Sequence, residues 1–410
     1  MLVRCLMCLA LLAPAAHAQT RAETEALFQT WLQTTIWPRA HADGVSKRTF
    51  NAAFSDVTLN WDLPDLVPPG TTPPQQRTQS QTEFRSPALY FRPNSVDGTA
   101  NLGRSYANRF ATTLAQTERA TGVPAHIILA IWGRESGFGR VDIPYNTFRT
   151  LGTKGFMSAR ADYFTDELLA ALRITQAGHI APDQMRSSWA GAMGQPQFMP
   201  TSFEAHARDG DGDGRADIWR SEADTIRSIA SYLATNGWDG RRDWGFEVNL
   251  PPSLPCTAAG RDQMRTIAEW EAVGVTRVSG RPFPAHERNG DAALLLPAGT
   301  NGPAFLVTPN FYVLKTYNNS DLYALFVGHV GDKIAFNVGP FRTPWQPVDD
   351  LLRSDIAAMQ NRLIAIGYDV GGADGLVGFK TRRAIGQWQT AAGQTPTCFP
   401  NRETVRAITN

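Results

Sequence analysis

Residues 133–139 read Gly-Arg-Glu-Ser-Gly-Phe-Gly and set one carboxylate, Glu135, at the end of an apolar run. A carboxyl group beside apolar neighbours holds its proton more tightly, because the ionised form loses hydration. Such a group suits general-acid work, the protonation of a leaving oxygen near neutral pH. The flanking glycines let a ligand approach the backbone closely. Taken alone, the motif equally fits a solvated glutamate at a helix end.

A second segment strengthens the chemical reading. Residues 188–200 read Ser-Trp-Ala-Gly-Ala-Met-Gly-Gln-Pro-Gln-Phe-Met-Pro. Small residues, amides and Met–aromatic pairs in one loop suit a groove floor that hydrogen-bonds a polar ligand. Close packing would account for the glycines but not for the pair Gln195 and Gln197. Further on, Asp209-Gly210-Asp211-Gly212-Asp213-Gly214 alternates carboxylates with glycines. Three or four of its oxygens could converge on one calcium ion. The bidentate glutamate usual at the twelfth loop position is absent; Arg220 stands there, with Glu222 and Asp224 beyond. A loop capped by its own aspartates is the alternative.

Helices must position these groups. Residues 23–55 carry Leu27, Phe28, Trp31, Leu32 and Ile36 at helical spacing. Pro64, Pro68, Pro69, Pro73 and Pro74 then require loop or extended chain. Helical texture returns over 103–121. Pro124 favours the first turn of a helix running through Ile127, Ile128, Leu129, Ile131 and Trp132, stopped by Gly137 and Gly139. Further helices are predicted at 160–178, 184–194 and 221–236. Between about 240 and 345, short apolar runs at Ala293–Leu296, Ala304–Thr308 and Leu322–Val327 alternate with Gly and Pro and predict a small amount of strand. Pro340, Pro344 and Pro347 mark a linker before a compact helical tail.

The motifs together resemble one family. A helix end of the E-S-x-F-G type and a G-A-M-G-Q-P-Q-F-M-P loop are similar to those of the B-type lytic murein transglycosylases. Asp217-Ile218-Trp219, Ile229–Leu233 with Gly237-Trp238, and Tyr317-Asn318-Asn319-Ser320 with Tyr323 extend the likeness over about 25–340. The resemblance implies a lysozyme-like core that cuts the β-1,4 bond between N-acetylmuramic acid and N-acetylglucosamine in peptidoglycan. It makes Glu135 the single catalytic residue. Glu135 would first protonate the bridging oxygen, with the substrate's acetamido group helping to hold the cationic intermediate. It would then take the C6 hydroxyl proton as a 1,6-anhydro ring closes, with no water added and no cofactor required. Ser188, Met193, Gln197, Phe198, Tyr232, Tyr317 and Tyr323 match groove positions. Asp209, Asp211, Asp213 and Asp224 match a calcium loop, a structural site at most. Two features depart from the family: Ala159-Arg160 keeps one of two adjacent arginines that face the stem peptide, and Trp189 and Thr201 replace a common tyrosine and serine. A hydrolytic muramidase and a non-catalytic wall-binding scaffold are the rival readings.

The tail resembles a small peptidoglycan-binding domain. It carries Met359-Gln360-Asn361-Arg362-Leu363, Asp374-Gly375-Leu376-Val377-Gly378 and Thr381-Arg382-Arg383-Ala384-Ile385 with Gln389. The fold class expected is therefore mainly α: a lysozyme-like catalytic domain with a minor β part over 19–345, plus a three-helix wall-binding domain over 348–410.

The first 18 residues have the form of a signal peptide. Arg4 precedes an apolar stretch from Leu6 to Ala16, and Ala16-His17-Ala18 is a small-x-small cleavage site. The expectation is a monomeric periplasmic protein with no membrane anchor; a lipidated Cys5 or Cys8 has too few apolar residues before it. Lys and Arg number 39 against 38 Asp and Glu, so no charge excess marks a nucleic-acid partner. Cys256 and Cys398 remain after the leader. An oxidising compartment permits their pairing, but 142 residues of separation neither require nor exclude it.

Overall fold

The computed structural model describes residues 20–71 and 86–410, which form two compact units. The predicted leader, and Pro73 and Pro74, lie outside the described residues.

The smaller unit comprises 20–71, 145–185 and 189–191. Helix Arg21–Trp31 opens with a capping box in which Thr20 and Glu23 satisfy each other's backbone N–H groups. Helices Trp37–Ala42, Lys47–Phe54, Thr147–Met157 and Ala161–Gln176 complete the unit. Phe28, Leu32, Phe50, Phe148, Leu151, Leu168 and Leu172 fill its centre. Lys154 is buried there; its ammonium lies 4.9 Å from the centre of the Trp189 ring and donates to the Pro64 carbonyl at 3.2 Å.

The larger unit comprises 86–144, 186–188 and 192–410. Helices Pro93–Arg109, Ala125–Ser136, Glu222–Thr235 and Asp321–Phe336 meet in one core through Ala100, Ile128, Trp132, Ile229, Phe326 and Val330. Against it lies a five-stranded antiparallel sheet in the order Arg265–Thr266, Asp291–Leu295, Ala304–Val307, Gly245–Asn249, Thr276–Arg277. Both faces are covered. Ala293, Leu295, Phe305 and Val307 join the helical core, while Leu294, Leu306, Phe246 and Val248 join a second cluster with Ile267 and Trp270. Burial on two sides explains why Ala292–Leu295 and Ala304–Val307 read as unbroken apolar runs instead of alternating patterns.

Three elements differ from the sequence expectation. Leu322–Val327 lies inside the Asp321–Phe336 helix, not in a strand. Ser320 caps that helix by accepting the Tyr323 N–H, and because Leu322 to Val327 are all buried, no period shows in the sequence. The predicted helix over 184–194 is absent; Pro182–Gln184 forms one 3₁₀ turn and the chain then enters an irregular loop. The 103–121 helix is two helices, Pro93–Arg109 and Ala111–Thr121, parted at Phe110.

The tail forms three helices, Arg353–Ala365, Phe379–Ala391 and Arg402–Thr409, around Ile356, Met359, Leu363, Ala384 and Ile385. Gln360 is buried and holds the 374–376 turn, accepting from Gly375 N at 2.7 Å and donating to Leu376 O at 2.9 Å. Among the described residues no helix is long and apolar enough to cross a membrane.

Candidate active site

Glu135 sits in the last turn of the Ala125–Ser136 helix, whose end is set by Gly137 at φ 57°. The carboxyl is drawn into the protein, and burial raises its pKa to about 7 against the opposing pull of a Tyr323 hydrogen bond and the Arg134 charge. The Tyr323 hydroxyl donates to Glu135 Oε1 at 2.5 Å. Arg134 turns the other way, donating to the Tyr90 hydroxyl at 2.8 Å with its guanidinium over the Tyr90 and Phe326 rings.

The sequence-predicted tyrosines and Phe198 form a contiguous aromatic row. Tyr317 stacks on Tyr323 with 6.4 Å between ring centres, and Tyr232 lies 4.8 Å from Tyr317. Phe198 touches both Tyr232 and Tyr317, at 5.6 and 5.9 Å. The hydroxyl groups are fixed by backbone: Tyr317 donates to Pro196 O at 2.6 Å and Tyr232 to Thr316 O at 2.7 Å.

The loop that supplies Pro196 is a tight hairpin. Met193 and Phe198 exchange backbone hydrogen bonds at 2.7 and 3.0 Å, and Gln197, at φ 53°, donates its side-chain amide to Gly194 O at 2.9 Å. Met193 and Phe198 are buried, so they underlie the floor without forming its exposed surface. Ser188 is tied to the hairpin's approach, its N–H donating to Ala192 O and its hydroxyl accepting from Ala192 N.

Gln195, read in the sequence as one of two ligand-facing amides, has a different position. It is buried and its Oε1 accepts the Trp132 indole N–H at 2.9 Å. The residue is a strut between the loop and the helix that carries Glu135. A Cβ at Gly139, already at φ 75°, would come within 2.5 Å of Gln195 Oε1, so only glycine fits there. Tyr90 and the Gln195–Trp132 bond are the parts of the site that sequence reasoning missed. The spacing of Gln195 and Gln197 marked the loop but could not say which amide turns inward.

No second carboxylate is among the groups acting on Glu135, which are Tyr323 and Arg134; the charge of Glu135 is also felt by Tyr317. Asp332 is likewise pushed to about 7 by burial, with Trp244 Nε1 donating to it at 3.1 Å. It stands nine residues beyond Tyr323 on the same helix, about 13 Å along the axis. Two-carboxylate glycosidases use a pair about 5–9.5 Å apart; Asp332 is not among the groups that act on Glu135.

The acidic loop lies apart from these contacts. Carboxylate oxygens of Asp209, Asp211 and Asp213 converge within 4.8 Å of one another. Asp224, expected as a fourth ligand, is not among these three. Its two oxygens accept from Gly210 N at 2.7 Å and Asp217 N at 2.6 Å, bracing the loop. The hard oxygen donors fit a cation such as calcium, although Asp209 already accepts from Gly212 and Gly214.

A half-buried glutamate at a helix end, an aromatic row and a Gly-Gln-Pro-Gln hairpin on a helical core make up a lysozyme-like site. Residues 27–332 match the transglycosylase SLT domain, and the chain belongs to that family. Residues 353–408 match a peptidoglycan binding domain.

Among individual proteins, the chain is similar to the membrane-bound lytic murein transglycosylase B of Escherichia coli (strain K12), 33% identical over 236 residues. That match spans 57% of this chain and 63% of the relative, a little under two thirds of its length. The structure is similar to SltB3 from Pseudomonas aeruginosa, solved in complex with NAG-anhNAM-pentapeptide, at TM-score 0.82 and 34% identity over 96% of this chain and all of that one. A more distant likeness is to the Escherichia coli lytic transglycosylase Slt35 solved with calcium, at TM-score 0.54 and 25% identity over 77% of this chain and 93% of that one.

Proposed function

We propose that this protein is a lytic transglycosylase that cleaves the β-1,4 bond from N-acetylmuramic acid to N-acetylglucosamine in peptidoglycan and leaves 1,6-anhydromuramic ends. The observation that carries the reading is a single half-buried carboxyl, Glu135, whose desolvation raises it to about 7, with no second carboxylate among the groups acting on it. Such a group is largely protonated below neutral pH and can give its proton to the bridging oxygen as the C1–O bond breaks. The resulting carboxylate then accepts the C6 hydroxyl proton while that oxygen bonds to C1, which restores the starting state. The groove positions are those of Ser188, Gln197, Tyr232 and Tyr317, underlain by Met193 and Phe198, with Tyr323 holding Glu135.

The similarity to SltB3, solved with a NAG-anhNAM-pentapeptide, supports a peptide-bearing muramyl substrate. The tail retains the enzyme on the wall, the leader directs it to the periplasm, and the mature chain acts as a monomer. Asp209, Asp211 and Asp213 hold calcium in a structural role, which the calcium-bound Slt35 structure supports. Mass spectrometry of muropeptides released from purified sacculi tests the central reading. Anhydro ends are expected; reducing N-acetylmuramic ends would make the protein a hydrolase.

A further inference from the structure

Arg134 precedes Glu135 on the Ala125–Ser136 helix, and its charge acts on that carboxyl. Arg134 is exposed, and a guanidinium on a flexible stem beside a carboxyl would ordinarily pair with it. Here it is turned aside. Its Nη2 donates to the Tyr90 hydroxyl at 2.8 Å, and its Cζ lies 4.6 Å from the centre of the Tyr90 ring and 5.0 Å from that of Phe326. Glu135 takes its hydrogen bond from Tyr323 instead. Tyr323 and Phe326 are three residues apart on the Asp321–Phe336 helix, so one face of that helix receives both side chains.

Tyr90 belongs to the 3₁₀ turn Pro87–Phe91, which is anchored by its aromatic side chains. Phe91 stacks on Trp345 with 5.3 Å between ring centres and meets Phe341 edge-on at 5.2 Å, while the Tyr90 ring meets Phe326 edge-on at 6.0 Å. The hydroxyl that receives Arg134 is therefore held by packing of its own. Other charges on the elements packed around the Ala125–Ser136 helix engage one another: Asp97 pairs with Lys333 at 3.0 Å, Arg104 donates to the Lys333 carbonyl at 2.7 Å, and Arg109 pairs with Glu222 at 3.6 Å. Tyr317 feels the charge of Glu135, but its hydroxyl donates to Pro196 O. The place of Arg134 matters to both steps. Paired with a guanidinium, Glu135 would be held as the carboxylate and have no proton to give. With no cation near, the carboxylate formed by the first step would be more costly to form.

We propose that Tyr90 is a positioning residue for the cleavage: with Phe326 it holds the Arg134 guanidinium clear of Glu135, near enough to support the carboxylate formed between the two steps and too far to pair with it. The inference rests on the glycan-cleaving reading above, in which one carboxyl first gives a proton and then takes one.

The test is the titration of the Glu135 carboxyl, followed by carbon NMR on full-length protein isotopically labelled in glutamate, with the signal assigned by its loss in Glu135→Gln. Tyr90→Phe keeps the ring and removes the hydroxyl; the released guanidinium reaches the carboxylate, and the midpoint falls by about one pH unit. Arg134→Gln removes the charge, and the midpoint rises by about half a unit. Adding Tyr90→Phe to Arg134→Gln moves it no further, because Tyr90 acts through the arginine. The falling limb of the pH–rate profile on soluble glycan strands moves with the midpoint in each variant. Melting curves check folding; should Tyr90→Phe not fold, Arg134→Gln, at an exposed position, decides alone. A midpoint that stays or rises in Tyr90→Phe, stays or falls in Arg134→Gln, or shifts with Tyr90→Phe when Arg134 is already gone, overturns the proposal. The titration is read on resting protein and anhydro ends on sacculi, so loss of the glycan reading and loss of the Tyr90 role give different results.

Discussion

At the residue scale the account turns on opposed influences at one carboxyl. Burial raises the Glu135 pKa, while the Tyr323 hydrogen bond and Arg134 pull it back to about 7. The acid form is needed for the first step, so activity should fall as pH rises through about 7. Tyr323→Phe removes an influence that lowers the pKa, so the falling limb should move to higher pH. A pH–rate profile on soluble glycan strands checks both, and a limb that stays put in Tyr323→Phe would contradict the role given to this hydroxyl. Glu135 was legible as a candidate because the glycines around it and the apolar run before it are local. Its partner was not, except through family likeness: Tyr323 is 188 residues away, and nothing in a tyrosine's neighbours says that it meets a carboxyl.

At the element scale the site depends on the hairpin bracing the helix. Gln195→Ala would leave the buried Trp132 indole N–H without its partner, a loss of about 1–3 kcal/mol. Denaturant unfolding should show that loss, and turnover should fall with it because the helix carrying Glu135 loses its brace. In the acidic loop, convergence of Asp209, Asp211 and Asp213 predicts that calcium raises the melting temperature, since a ligand bound by the folded state alone stabilises it. Identical melting curves in calcium and in chelator would discard the site. Capped, one-sided helices such as Arg21–Trp31 were readable from periodicity. The Asp321–Phe336 helix was not, because it is buried nearly all round and its apolar run has no period to distinguish it from a strand. The 184–194 segment misled in the opposite way, its side chains suiting a helix while hairpin bonds from Met193 to Phe198 took the backbone elsewhere.

At the scale of the whole molecule, the tail has its own core and yet belongs to the same compact unit as the sheet. The sequence showed a proline-marked linker and two cysteines 142 residues apart. It could not show that Cys398 packs among Trp270, Leu294 and Leu306 in a disulfide with Cys256. Replacing both cysteines with serine should therefore cost about 2–5 kcal/mol of stability, read as a lower melting temperature for the full-length protein. A double variant that melts like the wild type would show that the junction is held by packing and by ion pairs such as Arg382–Asp321 alone.

The central claim is that one carboxyl group cuts the strand without adding water. Digesting purified sacculi in oxygen-labelled heavy water tests it most directly, with Glu135→Gln alongside. The account predicts anhydromuramic ends that carry no label, and at least about a hundredfold less product from Glu135→Gln, the scale of a lost general acid. Labelled reducing ends, or near-normal turnover by Glu135→Gln, would contradict it.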